Sequence, residues 1–263
     1  MQKKESWFSA IGAFILFILK LPLYVWQAIP KKKIDLKKTI LKSFKKKEET
    51  KPAYVPFEII ETNTGDYQKF EEKIFTSDSK IGIILGARGS GKSALGMKFL
   101  ENAHAKTQRK CCAIGFKQED LPDWIVDIEN VQEIINDSFV LIDEGGILFS
   151  SRESMSEPNK LLSDLILVAR HKNLSILFIS QNSSNLDVNI LRQADYLLMK
   201  QSSLLQIDFE RKKIKDIYLE VDGSFKKHAE IKGLTYVYSD QFRGFVTNNL
   251  PTFWSTGISK SFR

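Results

Sequence analysis

An apolar pentapeptide, Ile81–Leu85 (IGIIL), runs straight into the octapeptide Gly86-Ala87-Arg88-Gly89-Ser90-Gly91-Lys92-Ser93. No other feature of the chain constrains its fold as much. The octapeptide has the spacing G-x-x-x-x-G-K-[ST], a strand pattern precedes it, and a helical pattern (SALGMKFLENA) follows. Gly86, Gly89 and Gly91 let the backbone curl so that its N–H groups, including those of Ala87, Arg88 and Ser90, face a polyphosphate. The helix that follows turns its positive end toward the same anion. Lys92 is then expected to bind the β- and γ-phosphates, and the Ser93 hydroxyl to ligate magnesium. The expected cofactors are ATP and Mg2+.

Around this motif, short apolar runs alternate with helical patterns. Strands are expected at 81–85, 111–115, 139–143, 175–180, 196–199 and 235–238, and helices near 92–105, 131–135 and 159–171. Such alternation predicts an α/β fold, a mostly parallel sheet with helices on both faces. The adjacent Cys111 and Cys112 lie too close in sequence to pair with each other, and are expected as reduced thiols buried in a strand.

Two further strands end in polar residues. Phe139-Val140-Leu141-Ile142-Asp143-Glu144 closes on two acids. Hydrolysis of a phosphoanhydride needs a carboxylate in the metal shell and another to polarise water, and Asp143 and Glu144 suit these roles in that order. Leu177-Phe178-Ile179-Ser180-Gln181 ends in an amide. If this strand lies between the glycine-loop strand and the Asp143 strand, Gln181 reaches the γ-phosphate. Arg170, in the last turn of the preceding helix, is either a cation complementing the helix dipole or an arginine that reaches a neighbouring subunit's γ-phosphate. Arg88, Arg152 and Arg192 are weaker candidates for that second role.

Charge is unevenly spread. Residues 1–55 hold thirteen lysines and four acids, net +9, so a whole-chain charge of +7 leaves −2 for the other 208 residues. Within that arm, residues 7–29 (WFSAIGAFILFILKLPLYVWQAI) carry one charge, Lys20. Twenty apolar residues make a helix of ~30 Å, which matches a bilayer core, with tryptophans at its ends. A membrane-spanning helix is the first expectation, with an interfacial helix or a signal peptide as alternatives. Ten lysines in residues 31–51 follow it, which puts the remainder on the cytoplasmic side. Residues 30–53 fit a basic amphipathic helix on anionic lipid, a contact to nucleic-acid phosphates, or a solvated linker. The expected organisation is therefore 1–29 membrane helix, 30–53 basic linker and 54–263 catalytic domain. The aromatic tail from Phe242 onward suits packing within the fold, on a neighbour or on DNA.

GARGSGKSAL, FVLIDEGG and ARHKNLSILFISQNSSNLDVNILRQADYLLMK together resemble the FtsK/HerA superfamily of P-loop motor ATPases, which includes viral genome-packaging ATPases and conjugative coupling proteins. The acid pair, Phe149, Arg152 and Arg170-His171 also resemble the Zot-like ATPases of filamentous phages. The resemblance covers about residues 81–200. It implies a RecA-like (ASCE) P-loop core and a homo-oligomeric ring, hexameric in the family, around double-stranded DNA. Lys92, Ser93, Asp143, Glu144 and Gln181 would act from one subunit and Arg170 from the next. The Zot-like branch implies instead capsid or membrane assembly proteins as partners. Zot-like proteins usually carry their membrane segment after the ATPase, whereas here the apolar segment comes first.

Overall fold

The computed structural model describes residues 50–77, 79–129, 131–143, 158–255, 257 and 258. The apolar stretch 7–29, most of the basic linker and Glu144 lie outside the described residues. Among the described residues no helix is long and apolar enough to cross a membrane. The strands are β1 (Glu58–Gly65), β2 (Ile81–Leu85), β3 (Lys110–Ile114), β4 (Ile125–Asp127), β5 (Ser138–Asp143), β6 (Ser175–Ser180), β7 (Tyr196–Met199), β8 (Thr235–Ser239) and β9 (Phe242–Thr247). The helices are α1 (Tyr67–Thr76), α2 (Lys92–Thr107), α3 (Pro158–His171), α4 (Val188–Gln193), α5 (Leu204–Asp208) and α6 (Lys212–Lys227).

The strands join one sheet in the order β1-β9-β8-β7-β2-β6-β5-β3-β4. From β7 to β4 every pairing is parallel. The β8–β9 hairpin and β1 extend the other side antiparallel. The central parallel strands β2, β5, β6 and β7 are buried along their whole length because both faces are covered. Their side chains alternate between two cores. Ile83, Val140, Ile142, Ile176 and Leu197 enter one, with α3, α4 and α6 above them. Ile84, Phe139, Leu141, Leu177 and Leu198 enter the other, under α1 and α2. Helices therefore lie on both faces, as the alternation of patterns predicts.

Local chemistry explains the helix starts. Asp66 caps α1 by accepting from the N–H groups of Gln68 at 2.8 Å and Lys69 at 3.3 Å. Ser203 and Gln206 form a reciprocal capping box on α5. On α6, Ile214, Ile217, Tyr218, Val221 and Phe225 recur at helical spacing and are buried.

The structure corrects one expectation about the elements. The region 131–135 is not an α-helix; Val131–Glu133 makes one 3-10 turn, too short a run to propagate α-helical bonding. The region 235–238 is a strand, as expected, and it opens an antiparallel hairpin because only two residues separate it from β9. The described part of the aromatic tail packs within the fold: Phe242 and Phe245 are buried in β9, and Phe253 meets Trp124 edge-on at 5.3 Å. Cys111 and Cys112 are free and buried in β3.

Two polar clusters fasten the core. Arg109 donates to the carbonyls of Ser77, Asp137, Ser138 and Asn173 and to Ser175 Oγ, so one guanidinium ties together the N-terminal ends of β5 and β6. On α2, Lys98 and Glu101 form an ion pair at 2.7 Å that is almost wholly buried. Glu101 also accepts from Ala53 N and Thr252 N, and Asn102 binds Val55 through both its N–H and its C=O. The chain entering the domain and the tail leaving it are thus both fastened to α2.

Candidate nucleotide site

The parallel strands share one C-terminal edge, and the chemistry gathers there. In open α/β sheets this edge is where ligands bind. Leu85 of β2 hands the chain to the glycine loop, which closes on α2. Gly86, Gly89 and Gly91 have φ of 148°, 77° and 89°. Gly86 needs glycine twice over, since a Cβ there would lie 2.6 Å from Lys200 Cβ. Gly91 is the N-cap of α2 in left-handed conformation and makes no side-chain cap. The first-turn N–H groups of a 16-residue helix are therefore left to whatever the loop encloses.

Lys92, 8% exposed, folds back into the loop, where its ammonium donates to the carbonyls of Gly86 and Ala87, both at 2.8 Å. Ser90 Oγ is buried without a hydrogen-bond partner. A buried hydroxyl left unpaired beside an uncapped helix N-terminus fits a polyanion, which would supply acceptors, although the N–H groups of Ala87 and Ser90 are themselves engaged by Gln201 O and Ala87 O. One helical position after Lys92, the Ser93 hydroxyl donates to Asp143 Oδ2 at 3.4 Å. Asp143 is the last residue of β5, two strands away from β2, and is 7% exposed. A serine hydroxyl and a carboxylate are hard oxygen donors suited to magnesium, which takes its remaining ligands from phosphates and water. Among the described residues no group of three or more His, Cys, Asp or Glu forms a metal cluster of its own.

Strand β6 lies between β2 and β5. Its Ser180 pairs with Leu85, so Gln181 leaves the sheet beside Gly86, and it is exposed there. The structure thus brings Lys92, Ser93, Asp143 and Gln181 to one edge. Arg170 is elsewhere. It is exposed in the last turn of α3, which delivers the chain to the start of β6, at the end opposite Gln181. Six strand residues separate those ends by ~17–20 Å, so within one chain Arg170 does not face the loop.

The loop also has a backing that sequence reasoning missed. Lys200, just past β7, donates its N–H to Leu85 O at 2.8 Å, and Ala87 N–H donates to Gln201 O at 3.2 Å. The Lys200 side chain is 2% exposed, and its ammonium donates to Gly233 O at 2.7 Å. The available signal was a lysine ending an apolar strand (YLLMK), the same polar-end pattern seen in β5 and β6. Burial pushes the Lys200 amine down to about 7. In the unfolded chain a lysine titrates near ~10.4, so between about 7 and that value the unfolded chain binds the extra proton. Stability from this group therefore rises with pH across that window, and the full cost of burying the charge is present below it. Lys200→Met is expected to stabilise the protein by about 3 kcal/mol at neutral pH, after loss of one hydrogen bond. The gain should shrink toward zero by pH ~9.5, as denaturant unfolding at the two pH values would show. A destabilisation at both pH values would count against it.

No protein-family model matches the chain, and no curated protein matches it. Solved structures do. The genome-packaging NTPase B204 from Sulfolobus turreted icosahedral virus 2, in complex with AMPPCP, is 14% identical over 66% of this chain and 100% of its own, with a TM-score of 0.47. B204, the DNA-packaging ATPase from Sulfolobus turreted icosahedral virus, is 14% identical over 66% of this chain and 98% of its own, with a TM-score of 0.44. ATPases 2 and 3 of EssC from Geobacillus thermodenitrificans are 11% identical over 80% of this chain and 49% of theirs, with a TM-score of 0.41. At these identities the likeness is one of fold, and the chemistry belongs to the chain's own residues.

Proposed function

We propose that the protein is an ATP-hydrolysing P-loop ATPase of RecA-like (ASCE) type that moves or packages DNA, anchored to a membrane by residues 7–29 with its ATPase domain on the cytoplasmic side. The observation that carries the ATPase reading is the 3.4 Å contact between Ser93 Oγ and Asp143 Oδ2 at the mouth of a glycine loop that already encloses the Lys92 ammonium. Strand β6, inserted between the loop strand and the Asp143 strand, supports the ASCE assignment.

Lys92 would neutralise the β- and γ-phosphates, while Ser93 and Asp143 would hold Mg2+, which supplies Lewis-acid polarisation of the phosphoryl oxygens when bound. Gln181 would orient the attacking water and Glu144 would accept its proton. Arg170, remote from the loop of its own chain, would act across the subunit boundary of a homo-oligomeric ring. The +9 arm of residues 1–55 supports an anionic partner, either double-stranded DNA or anionic lipid.

The deciding measurement is ATP turnover of the full chain with and without duplex DNA at several salt concentrations. Stimulation of about fivefold or more, fading as salt rises, is expected. Turnover indifferent to DNA at every salt would remove the DNA-motor reading and favour assembly proteins as partners, while leaving the ATPase assignment in place.

A further inference from the structure

Gln181 lies one residue beyond the last ladder pair of β6, where the chain leaves the sheet for a loop. That loop is tied back to β6, where Ser180 Oγ donates to Asn182 O at 2.8 Å, and on its far side it is laced to α5 and the segment that joins α5 to α6. Asn182 Nδ2 donates to Gln206 O at 3.4 Å, and Ser184 Oγ to Phe209 O at 2.7 Å. Arg211 donates through Nε to Ser183 O at 3.1 Å and through Nη2 to Leu186 O at 2.9 Å. At the centre stands Glu210, 7% exposed. Its Oε2 accepts the Ser183 N–H at 2.9 Å and also the Ser183 hydroxyl. That same hydroxyl oxygen accepts Arg211 N–H at 3.3 Å. The other carboxylate oxygen, Oε1, is buried without a partner.

A buried carboxylate with one oxygen unpaired is costly to keep. Desolvation raises its pKa, and the hydrogen bonds from Ser183 and Arg211, with the Arg211 charge, only partly offset that. An apolar residue would pack this site at lower cost if nothing but packing were needed. What the carboxylate gains is a two-point hold on Ser183, two residues past Gln181. Resting on the ATPase reading above, we propose that Glu210 is a positioning residue for the hydrolysis reaction: through Ser183 it fixes the loop that aims Gln181 at the phosphate site. Glu210 touches neither nucleotide nor water. A loop that drifts by about 1 Å can cost up to a hundredfold in rate, which is the scale on which such a strut acts.

The test is a set of variants of the full chain. Glu210→Ala is expected to lower kcat by about tenfold with KM changed less than about twofold, because the glycine loop that binds ground-state nucleotide is untouched. Glu210→Gln keeps an acceptor for both Ser183 donors and should recover most of kcat. In a Gln181→Ala background, Glu210→Ala should cost nothing further, since both changes remove the same interaction. Additive losses, an effect on KM alone, or a Gln variant as impaired as the Ala variant would each overturn the proposal.

A second readout does not depend on turnover. Amide hydrogen exchange at Ser183 should quicken by about tenfold in Glu210→Ala while α2 exchanges as before. Unchanged exchange at Ser183 overturns the strut. A wild-type chain that hydrolyses no ATP overturns the ATPase reading instead, and the exchange measurement still decides whether Glu210 holds the loop.

Discussion

Replacing Lys92 by alanine is expected to cut ATP turnover by about a thousandfold and to weaken nucleotide binding by about tenfold or more. The expectation follows from where the ammonium sits. Lys92 opens α2, and its side chain turns back so that Nζ lies 2.8 Å from the carbonyls of both Gly86 and Ala87. At 8% exposure it is screened from solvent, so its charge acts on an entering phosphate through a low dielectric. Alanine removes that charge and also leaves two loop carbonyls without their donor. Lys92→Arg should fare little better, because a planar guanidinium cannot occupy the gap between two carbonyls that a compact ammonium fills. Single-turnover hydrolysis, together with binding of a fluorescent ATP analogue, checks both halves. Loss of turnover with a lowered melting temperature would point to a collapsed loop, so the variant's thermal unfolding must be recorded alongside. Turnover within about tenfold of wild type would mean that the phosphate charge is met by another cation.

Which parts of this site were legible in the sequence depended on how each segment meets solvent. Strands β2, β5, β6 and β7 are buried along their length, so each appears as an unbroken apolar run. Polar residues at or just past their ends, Asp143, Ser180, Gln181 and Lys200, mark the C-terminal edge. Strand β1 (EIIETNTG) is mostly exposed, β4 has only three residues, and β9 carries Arg243 and Gly244 in its middle, so none of these gives a clear strand signal. Helices α1 and α6 were readable in principle. Asp66 before Tyr67, Phe70 and Ile74 is a cap followed by a helical stripe, and α6 repeats it with Ile214, Ile217, Tyr218, Val221 and Phe225.

Spatial neighbourhood was harder to read. That β6 separates β2 from β5 depends on which strands pair, and composition does not encode pairing. The location of Arg170 could have been inferred, because a helix that feeds a parallel strand must end at that strand's N-terminal side, away from a loop at the C-terminal side. Lys200 and Glu210 gave weaker signals. Each is a single charged residue whose importance comes from burial, 2% and 7% exposed, and burial is set by segments distant in the sequence.

Glu144→Gln is expected to abolish multiple turnover, lowering kcat by about a thousandfold, while magnesium-dependent ATP binding stays at wild-type strength or tightens. Glu144 lies outside the described residues, so the expectation rests on the division of labour between two adjacent acids. Asp143 ends β5 and accepts from Ser93 at 3.4 Å, which commits its carboxylate to the hydroxyl expected to share the metal. A carboxylate that would share magnesium with Ser93 would be a poor proton acceptor for water, because the bound cation would hold its negative charge. The base must then be another group, and Glu144 follows directly in sequence. The amide of glutamine keeps the shape and a hydrogen-bond acceptor but cannot take a proton, so the ground state survives and the chemical step does not. Asp143→Ala should give the opposite pattern, with magnesium dependence of binding lost along with turnover. The two variants together separate the roles: a Glu144→Gln chain that turns over ATP as wild type does would return the base to an unassigned residue, and an Asp143→Ala chain that still binds nucleotide in a magnesium-dependent way would leave Ser93 without its metal-binding partner.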